Sequence, residues 1–79
     1  MQIQTEMSSY DFLNNIEELT KSGMTVELSS FTGDKGDQVY SCKIKSWDKY
    51  ARTMNEHGKG YGSSAVLAFS KAYERLNKL

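Results

Sequence analysis

The C-terminal part of the chain carries the clearest helical pattern. On a wheel of 100° per residue, the segment from about Ser63 to Lys78 collects its apolar residues in one narrow arc and leaves its charged residues outside. The arc contains Ala65, Ala68, Phe69, Ala72, Leu76 and Leu79, and is widened by Val66 and Tyr73. Such a helix must lie on an apolar surface.

A first helix is predicted from about Ser9 to Ser22. Its apolar residues, spaced by four and three positions, are Phe12, Ile16 and Leu19. Ser8 stands at the position of a capping residue, and Gly23 is a residue that commonly ends a helix in the left-handed conformation. One face of this helix is therefore expected to pack on the core.

Between the helices the period changes to two, which indicates strands. Apolar residues alternate with polar ones at Met24, Val26 and Leu28, and again at Tyr40, Cys42 and Ile44. The segment "GDKGD", Gly33 to Asp37, has the composition of a turn and joins the two strands into a hairpin. A second turn at Asp48 and Lys49 leads to a third strand, predicted from Tyr50 to Asn55.

This order predicts an α+β fold, α-β-β-β-α, with two helices packed on one face of a three-stranded antiparallel sheet. Residues 1–79 are expected to form a single domain, with residues 1–8 as a flexible N-terminus. The segment "HGKGYGSS", His57 to Ser64, precedes the last helix. It has two interpretations: an anion site at the helix start, or a hinge in which glycines turn the chain and Ser63 or Ser64 caps the helix. We favour the hinge, because the spacing matches no nucleotide-binding motif.

Charge and cysteine content restrict the function. Ten basic residues balance ten acidic ones, so no overall field draws the protein towards nucleic acid or membranes. One cysteine cannot form an internal disulfide, and the first residues lack the pattern of a signal peptide. The longest apolar run, Ala65 to Phe69, is too short to span a bilayer. A soluble, cytoplasmic protein is expected.

No group of residues has the pattern of a catalytic or metal site. His57 is the only histidine and has no thiol or carboxylate at metal-ligand spacing. Cys42 alternates with core residues, which predicts a buried thiol rather than a nucleophile. We therefore expect no enzyme, no cofactor and no metal.

Apolar residues at positions expected to be exposed indicate a protein-binding surface. Leu67 is predicted to face away from the core, and Phe31 alternates out of register with the first strand. The proposed partner-binding residues are Trp47, Tyr50, Gly60, Tyr61 and Leu67. The leading prediction is a non-catalytic binder of another protein, with a homodimer as a competing use of the same surface.

The alternative prediction is a nucleic-acid-binding module. It would use the cations Lys43, Lys45, Lys49, Arg52 and Lys59. Lys43 and Lys45 share a face of their strand, and Trp47 continues that face as a surface on which bases can stack.

Two resemblances accompany these predictions. The order α-β-β-β-α, with "GKGYGSS" leading into "AVLAFSKAYERL", resembles the double-stranded RNA-binding domain, which implies that fold and duplex-RNA binding. The positions matching that family's helix lysines are Ser63, Ser64 and Val66 or Leu67, so its RNA-contact residues are mostly absent. In size and general look the chain is also similar to short phage-encoded accessory proteins, including anti-CRISPR inhibitors, which implies inhibition of a host system.

Overall fold

The computed structural model describes residues 7–76 and contains the predicted sequence of elements. These are α1 (Ser9–Lys21), β1 (Met24–Thr32), β2 (Gln38–Asp48), β3 (Thr53–Gly62) and α2 (Ala65–Leu76). The strands form one antiparallel sheet in the order β1-β2-β3. The predicted α+β layout is confirmed. Residues 1–6 of the expected flexible N-terminus, and Leu79 of the predicted apolar arc, lie outside the described residues.

Local sequence signals set the ends of the first helix. The Ser8 side chain caps α1 by accepting a hydrogen bond from the Asp11 amide at 3.1 Å. At the other end, Gly23 adopts a φ of 92°, a left-handed conformation that residues other than glycine rarely adopt. Met7, just before the cap, packs against the core. The predicted start and stop of α1 are therefore confirmed.

Two turns connect the strands. In the β1–β2 hairpin, the Gly33 amide donates to the Asp37 carbonyl at 2.7 Å, and Gly36 has a φ of 84°. In the β2–β3 turn, the Asp48 carboxylate accepts hydrogen bonds from the amides of Tyr50 and Ala51 at 2.9 and 3.2 Å. These amides, that of Ala51 first, lower the pKa of Asp48 because they stabilise its charged form.

The core lies between the sheet and the two helices. Its fully buried side chains are Cys42, Ile44, Ala68, Phe69 and Ala72, with Leu19 nearly so. Helix α1 packs mainly on β1, whereas α2 packs on β3 and β2. The Phe69 ring joins the layers: it meets the edge of Phe12 with centroids 5.4 Å apart and stacks on Tyr73 at 5.5 Å.

The segment "HGKGYGSS" corrects the predicted third strand. β3 does not run from Tyr50 to Asn55, and the glycines are not a hinge, because residues 58–62 are part of an extended, paired strand. Gly58, Gly60 and Gly62 occupy every second position, so all three lie on the sheet face beneath α2. A Cβ atom at Gly60 would lie 2.5 Å from the Ala68 carbonyl oxygen and 2.6 Å from the Ala72 nitrogen. The glycines therefore allow α2 to approach the sheet closely.

Candidate functional site: the open face of the sheet

The sheet face opposite the helices is left uncovered by the described residues. We call it the open face. By strand register its side chains belong to Thr25, Glu27, Ser29 and Phe31 of β1, to Val39, Ser41, Lys43, Lys45 and Trp47 of β2, and to Met54, Glu56, Lys59 and Tyr61 of β3. No helix lies on this side of the sheet in residues 7–76, so the open face is available to a partner.

A β-bulge determines which β3 residues reach the open face. The register of β2 and β3 shifts between Ile44 and Lys45, so that Gly58 faces Ile44 while Glu56 faces Lys45. The extra residue is His57, whose Nε2 is hydrogen-bonded to the Ser46 hydroxyl. The bulge therefore places odd-numbered residues on the open face after His57 and even-numbered residues before it.

The centre of the open face carries a group of neighbouring charged side chains, which we call the mixed-charge grid: Glu27, Lys43, Lys45, Glu56 and Lys59. Lys43 lies between Glu27 on β1 and Lys59 on β3, and in the next row Lys45 lies opposite Glu56. The Lys45 ammonium pairs diagonally with the Glu27 carboxylate at 3.4 Å. The grid thus holds three cations and two anions, and one cation is already paired.

Tyr61 holds the side chain of Lys59 in place. The Lys59 ammonium lies 5.3 Å from the centroid of the Tyr61 ring. The tyrosine hydroxyl, and then the nearby Glu56, raise the pKa of Lys59, because they favour its charged form. Lys59 therefore carries its charge at neutral pH.

Large apolar side chains stand at both ends of the grid. At one end, Phe31 and Tyr61 are 48% and 44% exposed; at the other, Trp47 and Met54 are 58% and 40% exposed. Tyr61 lies opposite Ser41, six residues from Trp47 along β2. At about 3.4 Å per residue, Trp47 and Tyr61 are roughly 20 Å apart. The open face therefore has two separated aromatic anchors.

A shallow depression lies beside the Trp47 anchor, at the β2–β3 turn. Its volume is about 360 Å³, and its lining includes Trp47, Asp48, Tyr50 and Asn55. Tyr50 is 90% exposed, and the Lys49 ammonium lies 5.7 Å from its ring centroid. The turn extends the apolar surface beyond the sheet.

The structure separates the predicted partner-binding residues. Trp47 and Tyr61 lie on the open face, and Tyr50 lies in the adjoining turn. Gly60 is buried under α2, away from the open face. Leu67 does not face away from the protein: it is only partly exposed, because its side chain packs over Gly62 on the helix side of the sheet. Tyr61 and Leu67 therefore do not share a surface.

The predicted nucleic-acid-binding residues fall into two groups. Lys43, Lys45 and Lys59 converge on the open face, in two neighbouring rows. Lys49 and Arg52 lie in the β2–β3 turn, where Arg52 has a φ of 55°. The sequence predicts a shared face only for Lys43 and Lys45.

Met54 and Glu56 belong to the open face, although the sequence does not indicate this. If side chains alternated between the two faces without interruption from Tyr61 back to Met54, both residues would lie on the helix side of the sheet. Nothing in the sequence marks His57 as the bulged residue that interrupts this alternation. Two exposed apolar residues of α1 were also missed as surface features: Tyr10 is 77% and Leu13 63% exposed. Their spacing of three positions was the signal that could have identified them as one face of α1.

The remaining reactive groups are held in structural roles. Burial raises the pKa of the Cys42 thiol to about 11, so the thiol is neutral at pH 7. At the start of α2, the Ser64 hydroxyl accepts the Leu67 amide at 3.1 Å and the Ser64 carbonyl accepts the Ala68 amide at 3.0 Å. Ser64 thus caps the helix, as one interpretation predicted, and its hydroxyl engages one of the amides that an anion would need.

The described residues contain neither a metal-ligand cluster nor a membrane-spanning helix. Within residues 7–76, no three His, Cys, Asp or Glu side chains cluster as metal ligands. No helix in that range is long and apolar enough to cross a membrane. The chain matches no protein-family model, no curated protein and no solved structure at a significant level. The resemblances to the double-stranded RNA-binding domain and to phage proteins therefore stay predictions, and the geometry carries the functional proposal.

Proposed function

We propose that the protein is a non-catalytic binder of another protein and that it binds through the open face. The observation that carries this proposal is the combination of two exposed aromatic anchors, Trp47 and Tyr61, with a mixed-charge grid between them. Aromatic residues are enriched at interfaces, where a few buried anchors supply most of the binding energy. The grid would set the orientation of the partner rather than its affinity.

The charge pattern favours a protein partner over a nucleic acid. Binding to the phosphate backbone of a nucleic acid is strengthened by neighbouring cations. On the open face, however, Glu27 and Glu56 lie in the same rows as the lysines. Lys45 is already paired with Glu27. A protein surface can present acidic groups to Lys43 and Lys59 and a basic group to Glu56, and so match the grid.

Alanine substitution of the anchors tests the proposal. Immobilised protein is used to capture partners from a nuclease-treated extract of the organism that carries the gene, and the captured protein is then purified for calorimetry. We expect Trp47→Ala and Tyr61→Ala each to weaken binding by about 2 kcal/mol or more, which is roughly 30-fold in Kd. The control is Tyr10→Ala, which removes an exposed aromatic ring from α1; Tyr10 is 77% exposed, more than Trp47 at 58% and Tyr61 at 44%.

The binding results for the variants distinguish the open face from other surfaces as the binding site. A partner that binds the wild type and Tyr10→Ala but not the anchor variants supports the open face as the site. A partner that binds all four proteins equally would show that the open face is not the binding surface. Circular dichroism of each variant excludes loss of the fold as the cause.

We also propose an inhibitory role for the same surface. A small domain that covers a partner's working surface blocks it without chemistry, and this is the mode implied by the likeness to phage-encoded inhibitors. The purified partner's own activity, measured with and without the wild-type protein, tests that role. Activity that is unchanged at saturating protein would leave a binder but not an inhibitor.

Nucleic-acid binding is the second candidate, because the fold brings Lys43, Lys45 and Lys59 together between Trp47 and Tyr61. The arrangement combines cations with stacking surfaces, as in single-strand binders. If it operates, anisotropy with labelled single-stranded and duplex RNA will show submicromolar binding that weakens as salt rises from about 50 to 200 mM. Lys43→Glu with Lys59→Glu should then abolish binding. We expect no such binding, and observing it would reverse the order of the two candidates.

A further inference from the structure

The outer edge of β1 is an exposed strand edge without the usual protection. In the described residues β1 pairs only with β2, so its other side presents unpaired backbone groups along nine residues. Natural edge strands are commonly protected by proline, lysine, a bulge or short length. β1, with the sequence "MTVELSSFT", has no proline and no lysine, its one charged side chain, Glu27, is paired with Lys45, and its pairing with β2 is regular.

The opposite edge of the same sheet is protected. β3 carries the bulge at His57, contains three glycines in its second half, and presents Lys59. These features disfavour pairing with another strand. Because only the β3 edge is protected, we expect a strand from another molecule to pair with β1 rather than with β3.

Apolar side chains near the β1 edge are also left exposed. Leu28 lies on the helix side of the sheet with Met24 and Val26, but unlike them it is not packed on the core and is 40% exposed. It borders an open depression of about 200 Å³ with Tyr40 and Ala65. On α1, which packs on β1, Leu13 is 63% exposed.

We propose that the protein forms a symmetric dimer in which β1 pairs antiparallel with β1 of a second copy. The strand's own sequence selects this occupant. A two-fold axis perpendicular to the sheet keeps like faces together and places one residue opposite its own equivalent. Centring on Leu28 pairs all nine residues, whereas centring on Glu27 would oppose two carboxylates, a destabilising pair. In the Leu28 register, Glu27 faces Ser29, Thr25 faces Phe31, and the two Leu28 side chains meet.

This pairing leaves the open face free. The two sheets join into six strands, and because the axis is perpendicular to the sheet, both open faces lie on the same side. The dimer therefore presents two copies of the Trp47 and Tyr61 anchors side by side. The inference concerns a different surface from the proposed protein-binding site and is tested separately.

Mass measurement with matched lysine variants tests the dimer. Sedimentation equilibrium of the wild type, from micromolar to about 1 mM, covers even a dissociation constant in the millimolar range. We expect the mass to rise towards twice that of the monomer. Leu28→Lys should remain monomeric, because it places two ammonium groups opposite each other at the centre of the pairing. Met54→Lys, on the opposite edge strand and with the same 40% exposure, should dimerise like the wild type.

Cysteine cross-linking tests the register and does not depend on the lysine variants folding. In the proposed pairing, the two Leu28 Cβ atoms lie about 4.5 to 5.5 Å apart, close to disulfide distance. Leu28→Cys should therefore form a covalent dimer under mild oxidation. Ser30→Cys should not, because Ser30 faces Val26 of the second copy. The native Cys42 is fully buried and leaves the background low.

Each result bears on the proposal. A mass rise abolished only by Leu28→Lys, with cross-linking only of Leu28→Cys, supports it. A wild type that stays monomeric up to about 1 mM overturns it. Equal cross-linking of Leu28→Cys and Ser30→Cys also overturns it, since this indicates random collision. Equal loss of dimer in Leu28→Lys and Met54→Lys would place the interface elsewhere.

Discussion

Phe69→Ala is expected to lower the free energy of unfolding by roughly 3 to 5 kcal/mol, the range for a buried phenylalanine truncated to alanine. The Phe69 side chain is completely buried, and its ring contacts both Phe12 and Tyr73. The truncation thus leaves a cavity at the point where α1, α2 and the sheet meet. A domain of this length has a total stability of about 4 to 12 kcal/mol, so the variant should be near the limit of folding.

Thermal and urea unfolding followed by circular dichroism measure this effect. At roughly 4 °C or more per kcal/mol for a small domain, the melting temperature should fall by at least about 12 °C. Tyr10→Ala is the control: its ring is 77% exposed, so the change should be within about 0.5 kcal/mol. A melting temperature that is the same in Phe69→Ala and the wild type would contradict the placement of α2 on the core.

Gly60→Ala is expected to destabilise the protein by about 3 kcal/mol, at the upper end for overpacking. The added Cβ would lie 2.5 Å from the Ala68 carbonyl oxygen and 2.6 Å from the Ala72 nitrogen. Both atoms belong to the backbone of α2, so no side-chain rotation can relieve the overlap. The helix would have to move away from the sheet and lose packing along its length.

Gly62→Ala is the matched comparison, one step along the same face of β3. There the nearest atom to the new Cβ would be Leu67 Cγ at 2.9 Å, which belongs to a flexible side chain, and the nearest backbone atom, the Ala68 nitrogen, would lie at 3.0 Å rather than 2.5 Å. We expect this variant to lose only about 1 kcal/mol, at the lower end for overpacking. Unfolding curves that rank the two variants equally, or Gly62→Ala as the less stable, would contradict the close contact between α2 and Gly60.

The open face was only partly predictable from the sequence. Alternation along β2 correctly placed Lys43, Lys45 and Trp47 on one face, because a strand paired on both sides keeps a strict period of two. On β3 the same alternation would have given the wrong face for Met54 and Glu56. One extra residue at His57 reverses the alternation, and the position of a bulge depends on pairing with a neighbouring strand rather than on local composition.

The sequence by itself determined the type and order of the elements. Ser8, Gly23, "GDKGD" and the apolar arc of α2 are local signals, since capping, turn formation and amphipathic burial depend on residues close together in the chain. Tertiary structure alone decided the role of the glycines in "HGKGYGSS". The same alternating glycines are compatible with a hinge or with a strand. In the folded protein α2 lies so close to Gly60 that a Cβ atom there would overlap the helix backbone, so packing requires a residue without a side chain. It also decided which apolar residues stay exposed, because α1 covers Met24 and Val26 of β1 but leaves Leu28 uncovered.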